Sequence, residues 1–123
     1  MNKILKYFPN QIRVIMNNEI EEKNKILEEI RIRVDKPIIL KFSNSEKIIR
    51  YEVNSDEILN ILQLVCENSI YSYQKQISEG FITINGGHRV GITGSCVIEK
   101  GKVININYIN SLNFRIARQI FRM

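Results

Sequence analysis

The chain has 123 residues, 44% of them hydrophobic and 25% charged, which is the size of one ordinary domain able to bury a real core. No stretch approaches the roughly 20 apolar residues that span a bilayer. The N-terminal MNKILKYFPN has its apolar run broken by Lys6 and stopped by Pro9, so it reads as neither a secretory signal nor a lipidation site.

A single soluble, cytoplasmic domain over residues 1–123 is the expectation. The formal charge of +5 is unevenly placed: residues 1–79 hold 12 basic and 12 acidic side chains, whereas residues 80–123 hold 6 basic ones against Glu99 alone. Such asymmetry fits an anionic partner on the C-terminal third, although a solvated strand surface is the commoner cause.

From Asn10, just after Pro9, Ile12, Ile15, Met16 and Ile20 fall on one helical face, which predicts an amphipathic helix over about 10–23 with an exposed acidic end from Glu19 to Glu22. In ILEEIRIRVDKP the period changes to 2. Ile30, Ile32 and Val34 alternate with Arg31, Arg33 and Asp35, the pattern of a strand with one wet face, closed by Asp35, Lys36 and Pro37. Two more strands are expected over Ile38–Phe42 and Lys47–Val53, joined by the turn-forming Ser43, Asn44 and Ser45. Asn54 stands three residues before Glu57, a capping box that opens a helix over about 55–68 with Ile58, Ile61, Leu62 and Val65 inward. Ile70, Tyr73 and Ile77 predict another over about 69–79, ended by Gly80 in a left-handed conformation. FITIN, Gly86-Gly87, HRVGITGSCVIE, Lys100-Gly101 and KVININ then read as a three-strand antiparallel meander over about 81–107. A last alternating segment, Leu112 to Ile120, is expected to start as a strand and finish as a helix. The fold class is α+β: an antiparallel or mixed sheet covered on one face by helices.

Few residues carry chemistry. Gly86, four residues, Gly91, Ile92 and Thr93 have the glycine spacing of a phosphate-cradling loop, but Ile92 stands where the lysine belongs and strands flank both sides, so a hairpin and a strand bend explain Gly86, Gly87, Gly91 and Gly94 better. His88, the only histidine, has no neighbouring second ligand or nucleophile and reads as a surface turn residue. Cys66 and Cys96 lack metal or redox spacing and read as buried free thiols. No catalytic residue and no metal site is expected. Tyr71, Tyr73 and Phe81 offer a stacking surface beside the basic third, but their spacing favours core packing. The arginines remain: Arg31 and Arg33 on one side of the first strand, and Arg89, Arg115 and Arg118 in the basic third. Arginine is suited to oxyanions through its rigid fork of donors, yet each is more often a surface charge.

Together EEIRIRV with the following Lys36-Pro37, SIYSYQKQISEGFIT, NGGHRVGITGS and INSLNFRIARQI resemble the N-terminal region of the stage III sporulation protein AA family of endospore-forming bacteria, over nearly the whole chain. The resemblance implies a region preceding a RecA-like ATPase domain related to the motors of type II and type IV secretion and pilus retraction. Such an ATPase would serve a secretion-like channel between mother cell and forespore. The family's phosphate loop lies C-terminal to this region, and no Gly-Lys-Ser/Thr occurs here, so the chain alone is not expected to hydrolyse ATP and is expected to hold no cofactor. ATP and Mg belong to the expected full-length parent.

By analogy with related secretion ATPases, Arg89 and Arg115 are the expected contacts to nucleotide phosphate, and Arg31, Arg33 and Arg118 the expected subunit or domain contacts. Expected partners are further subunits of a hexamer, the ATPase domain and the sporulation channel proteins, with any membrane association running through them. A basic nucleic-acid-binding module and a purely structural contact domain stay open as alternatives.

Overall fold

Each half of the chain folds back on itself, and the two halves meet at the centre of one sheet. The computed structural model describes residues 3–23, 26–99 and 102–117, with only the backbone for Lys23, 95–99 and 102–107. In chain order a 3₁₀ turn (Lys3–Tyr7) precedes α1 (Asn10–Lys23), β1 (Leu27–Arg33), β2 (Pro37–Phe42) and β3 (Glu46–Glu52). Then come α2 (Ser55–Val65), a 3₁₀ turn (Ile70–Tyr73), α3 (Gln74–Glu79), β4 (Phe81–Ile84), β5 (His88–Glu99) and β6 (Lys102–Arg115).

The six strands run in the order β3-β2-β1-β6-β5-β4. Every described pairing is antiparallel, so the sheet is antiparallel and not mixed. Consecutive strands pair within each half, and among the described residues one pairing joins the halves, β1 with β6, which puts two arginine-bearing strands in the middle of the sheet.

Period-2 patterning decides which face is dry. Ile30 and Ile32 of β1, Ile38, Leu40 and Phe42 of β2, Ile82 and Ile84 of β4, Val90 of β5 and Leu112 and Phe114 of β6 all point inward and are buried. They form one cluster with Ile12 and Met16 of α1, Ile58, Ile61, Leu62 and Val65 of α2, and Ile77 of α3. Phe114 is fully buried within it, its ring centroid 4.9 Å from that of Phe8. Fully burying side chains of this size stabilises by roughly 1.5–3 kcal/mol each, which makes this cluster the main source of stability. Among the described residues all three α-helices contribute to this inner-face cluster, and none packs on the opposite face.

The capping box forms as expected: Glu57 N donates to Asn54 Oδ1 at 2.8 Å, and Asn54 N donates to Glu57 Oε1 at 3.0 Å. Gly80 ends α3 at φ 91°, as its lack of a side chain allows. Several boundaries differ from expectation. The helix expected over 55–68 stops at Val65, because Glu67 and Asn68 take left-handed backbone (φ 54° and 62°) and Asn68 N turns back to Gln63 O at 2.8 Å. The helix expected over 69–79 is a 3₁₀ turn followed by a short α-helix, a change of pitch that leaves Tyr71 71% exposed while Tyr73 packs on the core. Leu112–Arg115 is no separate segment but the end of β6, and register shifts between Thr93 and Gly94 and on to Ile98 carry the long β5–β6 pair past the meander's expected limit. Arg118 and the expected terminal helix fall outside the described residues, as does the Lys100-Gly101 turn.

Candidate functional site

The uncovered face of the sheet holds the arginines in a regular lattice. Across β5, β6 and β1 the register aligns Arg89 with Arg115 and Glu29, then Gly91 with Asn113 and Arg31, then Thr93 with Ser111 and Arg33. Beyond this block, β4 sets Thr83 opposite Arg89 and Phe81 opposite Gly91, while β2 sets Lys41 opposite Glu29. All these side chains share the outer face because each rung lies two residues from the next.

Arg89 is exposed, and its guanidinium lies 4.2 Å above the centroid of the Phe81 ring. The position opposite Phe81 is Gly91, so no side chain competes for the space over that ring. Arg115 is the most open of the paired cations, with 72% of its side chain exposed.

Between the arginines sits a carboxylate that sequence reasoning passed over. Glu29 is the one charged residue buried among those described. Its Oε2 accepts from Arg31 Nε at 2.6 Å, its Oε1 accepts from Asn113 Nδ2 at 3.3 Å, and Arg115 Nε lies 3.6 Å from Oε1. Arg31 therefore makes a short, charge-assisted hydrogen bond, whereas Arg115 is held by charge alone at a distance too long for a hydrogen bond. The Oδ1 of Asn113 is buried and has no partner among the described residues.

Two shallow hollows meet on this face. One, of about 260 Å³, is lined by Arg31, Arg33, Thr93, Ser111 and Asn113, with the backbone of β1 and β6 as its floor. The other, of about 220 Å³, lies between Gly80, Arg89, Gly91, Thr93, Asn113 and Arg115. Thr93 and Asn113 belong to both, so the hollows form one groove bordered by four arginines.

His88 lies elsewhere, at the start of β5, and is more than a surface turn residue: its Nδ1 accepts the Ala117 backbone N–H at 3.0 Å, tying the end of the described chain to the β4–β5 turn. It borders a cavity of about 510 Å³ lined by Lys3, Lys6, Tyr7 and the Asn85–Gly86 turn. The Gly86–Thr93 spacing is a turn leading into a strand, not a phosphate loop. Cys66 is buried and free, and the Cys96 side chain lies outside the described set. Among the described residues no three His, Cys, Asp or Glu side chains gather as a metal site. Nor is any helix there long and apolar enough to cross a membrane.

The backbone has known counterparts. The fold is similar to part of the crystal structure of the VirB11 ATPase from the Brucella suis type IV secretion system, in complex with sulphate, with a TM-score of 0.53 and 10% identity, over 98% of this chain and 33% of that one. The X-ray structure of the Legionella pneumophila ATPase DotB gives a TM-score of 0.49 and 14% identity over 90% of this chain and 31% of that one. The family is narrower. Residues 1–123 match the model for sporulation stage III, protein AA, and the chain belongs to that family. It is 32% identical over 119 residues to stage III sporulation protein AA of Bacillus subtilis (strain 168), covering 97% of this chain and 39% of the relative's length.

Proposed function

We propose that this chain is the N-terminal regulatory and assembly domain of an oligomeric, secretion-type ATPase acting in sporulation, and that Arg89 and Arg115 meet the phosphates of a nucleotide held mainly by an ATPase domain outside these residues. The observation that carries the reading is the direct register of Arg89 with Arg115 on the open face. Like charges set opposite each other weaken a sheet, and an anion received between them removes that cost. Each guanidinium presents a rigid fork of donors at the edge of the groove, the geometry that stabilises charge on a transferring phosphoryl group. Strands hold these groups more firmly than loops do. Family membership and the shared fold support the same reading.

In this reading the chain lends side chains and does not itself hydrolyse ATP; ATP and Mg are requirements of the parent. Arg31 lies one rung and Arg33 two rungs along the lattice from the Arg89–Arg115 pair, on β1, where they would pack against a neighbouring subunit of a hexamer or against the ATPase domain. Changes of nucleotide state would then be felt as rotation of this domain. The place of action is the mother-cell side of a channel, with contact to the membrane only through partners. The test is ATP turnover by the full-length parent. Arg89→Ala and Arg115→Ala should each lower it while leaving the fold intact, and wild-type turnover in both rejects the assignment. A nucleic-acid-binding surface would instead show oligonucleotide affinity falling steeply with salt.

A further inference from the structure

The carboxylate in the middle of a basic face requires an explanation of its own. Glu29 has only 11% of its side chain exposed, so its charge must be compensated by neighbours. Its partners are unequal. Arg31, two residues along the same strand, forms the short bond at 2.6 Å, and Asn113 supplies a second donor. Arg115 stands directly opposite on β6 but only at 3.6 Å, with most of its length in solvent. Arg31 alone gives Glu29 its charge-assisted hydrogen bond, which leaves Arg115, a residue that lines the groove, as a weakly held second cation.

We infer that Glu29 is the resident anion of this face: it holds the arginines while the groove is empty and opposes any anion that enters, and Arg115 is the cation that passes from Glu29 to the incoming oxyanion. The inference rests on the reading of the groove as a phosphate-facing surface, and it assigns that surface a threshold. A singly charged anion gains too little to draw Arg115 away from a neighbouring carboxylate. A polyphosphate chain, spread from Arg115 toward Arg89, gains enough. Glu29 is therefore a positioning residue that sets which anions the face accepts, and Arg31 stays with it throughout, keeping the buried charge compensated.

The test uses the 123-residue chain and inorganic tripolyphosphate at low salt, followed by calorimetry. Glu29→Gln keeps an acceptor for Arg31 and removes the charge, so binding should tighten about tenfold, the scale on which a like charge within about 4–6 Å opposes another. Adding Arg115→Ala to that variant should cancel the gain. Unchanged or weaker binding by Glu29→Gln, or no binding by either protein, overturns the inference. Wild-type protein provides a readout that does not depend on whether the variant folds. During the same titration the Arg115 side-chain Nε–H resonance should shift while that of Arg31 holds still, and movement of Arg31 instead of Arg115 also overturns it. These outcomes are separate from ATP turnover in the parent: a tripolyphosphate response without a turnover defect in Arg89→Ala and Arg115→Ala leaves Glu29's role standing and removes the nucleotide assignment.

Discussion

Arg89 and Arg115 stand opposite each other across β5 and β6, yet of the two only Arg115 has a described carboxylate within ion-pair distance. Arg89 rests on the Phe81 ring instead, and this contrast predicts how it responds to removal. Arg89→Ala loses an exposed cation–π contact worth about 0.5–1 kcal/mol and relieves like-charge repulsion of similar size. Stability by urea denaturation should therefore change by less than about 1 kcal/mol. A loss above roughly 2 kcal/mol would mean that Arg89 serves the fold before any ligand.

The glycines of β5 separate in the same assay. Gly94 sits at a bulge with φ 137°, and a Cβ there would run into the carbonyl oxygen of Tyr108 and come within 2.8 Å of Asn110 N and Ile109 Cα. These are backbone atoms of the paired strand and cannot swing aside. Gly94→Ala should cost at least about 2 kcal/mol. Gly91, whose added Cβ would find only Asn113 atoms at 3.8 and 3.9 Å, should accept alanine within about 1 kcal/mol. Equal losses at both positions would show that the bulge is not what Gly94 is for.

The strand faces were legible because they depend on a period. Ile30 and Ile32 point in and Arg31 and Arg33 out, as alternation alone requires. The capping box and the Gly80 helix end were legible for a similar reason, being set by neighbours in sequence. Glu29 was not. That it shares a face with Arg31 follows from spacing, but that it lies opposite Arg115 follows from the pairing of β1 with β6, which no local pattern encodes. The same pairing brings in Asn113, a residue with no signature of its own. The extension of β6 through Leu112–Arg115 was hidden by the bulges, which interrupt the simple period that marks a continuous strand. At Tyr71 the obstacle was local: a 3₁₀ turn and an α-helix place the same spacing on different faces.

Glu57 does more than close its capping box. Its Oε2 also accepts the Tyr51 hydroxyl at 2.5 Å, joining the end of β3 to the start of α2. That hydrogen bond, then burial and the carboxylate's charge, raise the Tyr51 phenol above its ordinary 10.0. A raised phenol favours the folded state in full below the unfolded value, and the contribution is lost as pH climbs through the folded one. Tyr73, raised mainly by burial, acts in the same direction, so the wild type and Tyr51→Phe must be compared. Unfolding followed between pH 8 and 11 should show wild-type stability falling more steeply above pH 10 than that of Tyr51→Phe. Parallel curves would remove the hydrogen bond from the account. At neutral pH, Asn54→Ala should cost about 1 kcal/mol through loss of the cap.

Cys66 ends α2 fully buried against the core, and burial pushes its thiol up to about 12. The thiolate is the reactive form, so a thiol raised this far stays almost wholly protonated at pH 8, on top of the barrier to access. Iodoacetamide at pH 8 should leave Cys66 unmodified in the native chain and label it promptly in urea, with peptide mapping separating it from Cys96. Labelling that rises with urea only through the main unfolding transition would place Cys66 in the last unit to open. Labelling well below that transition would mean that the C-terminal end of α2, where Glu67 and Asn68 turn the chain, opens separately from the sheet.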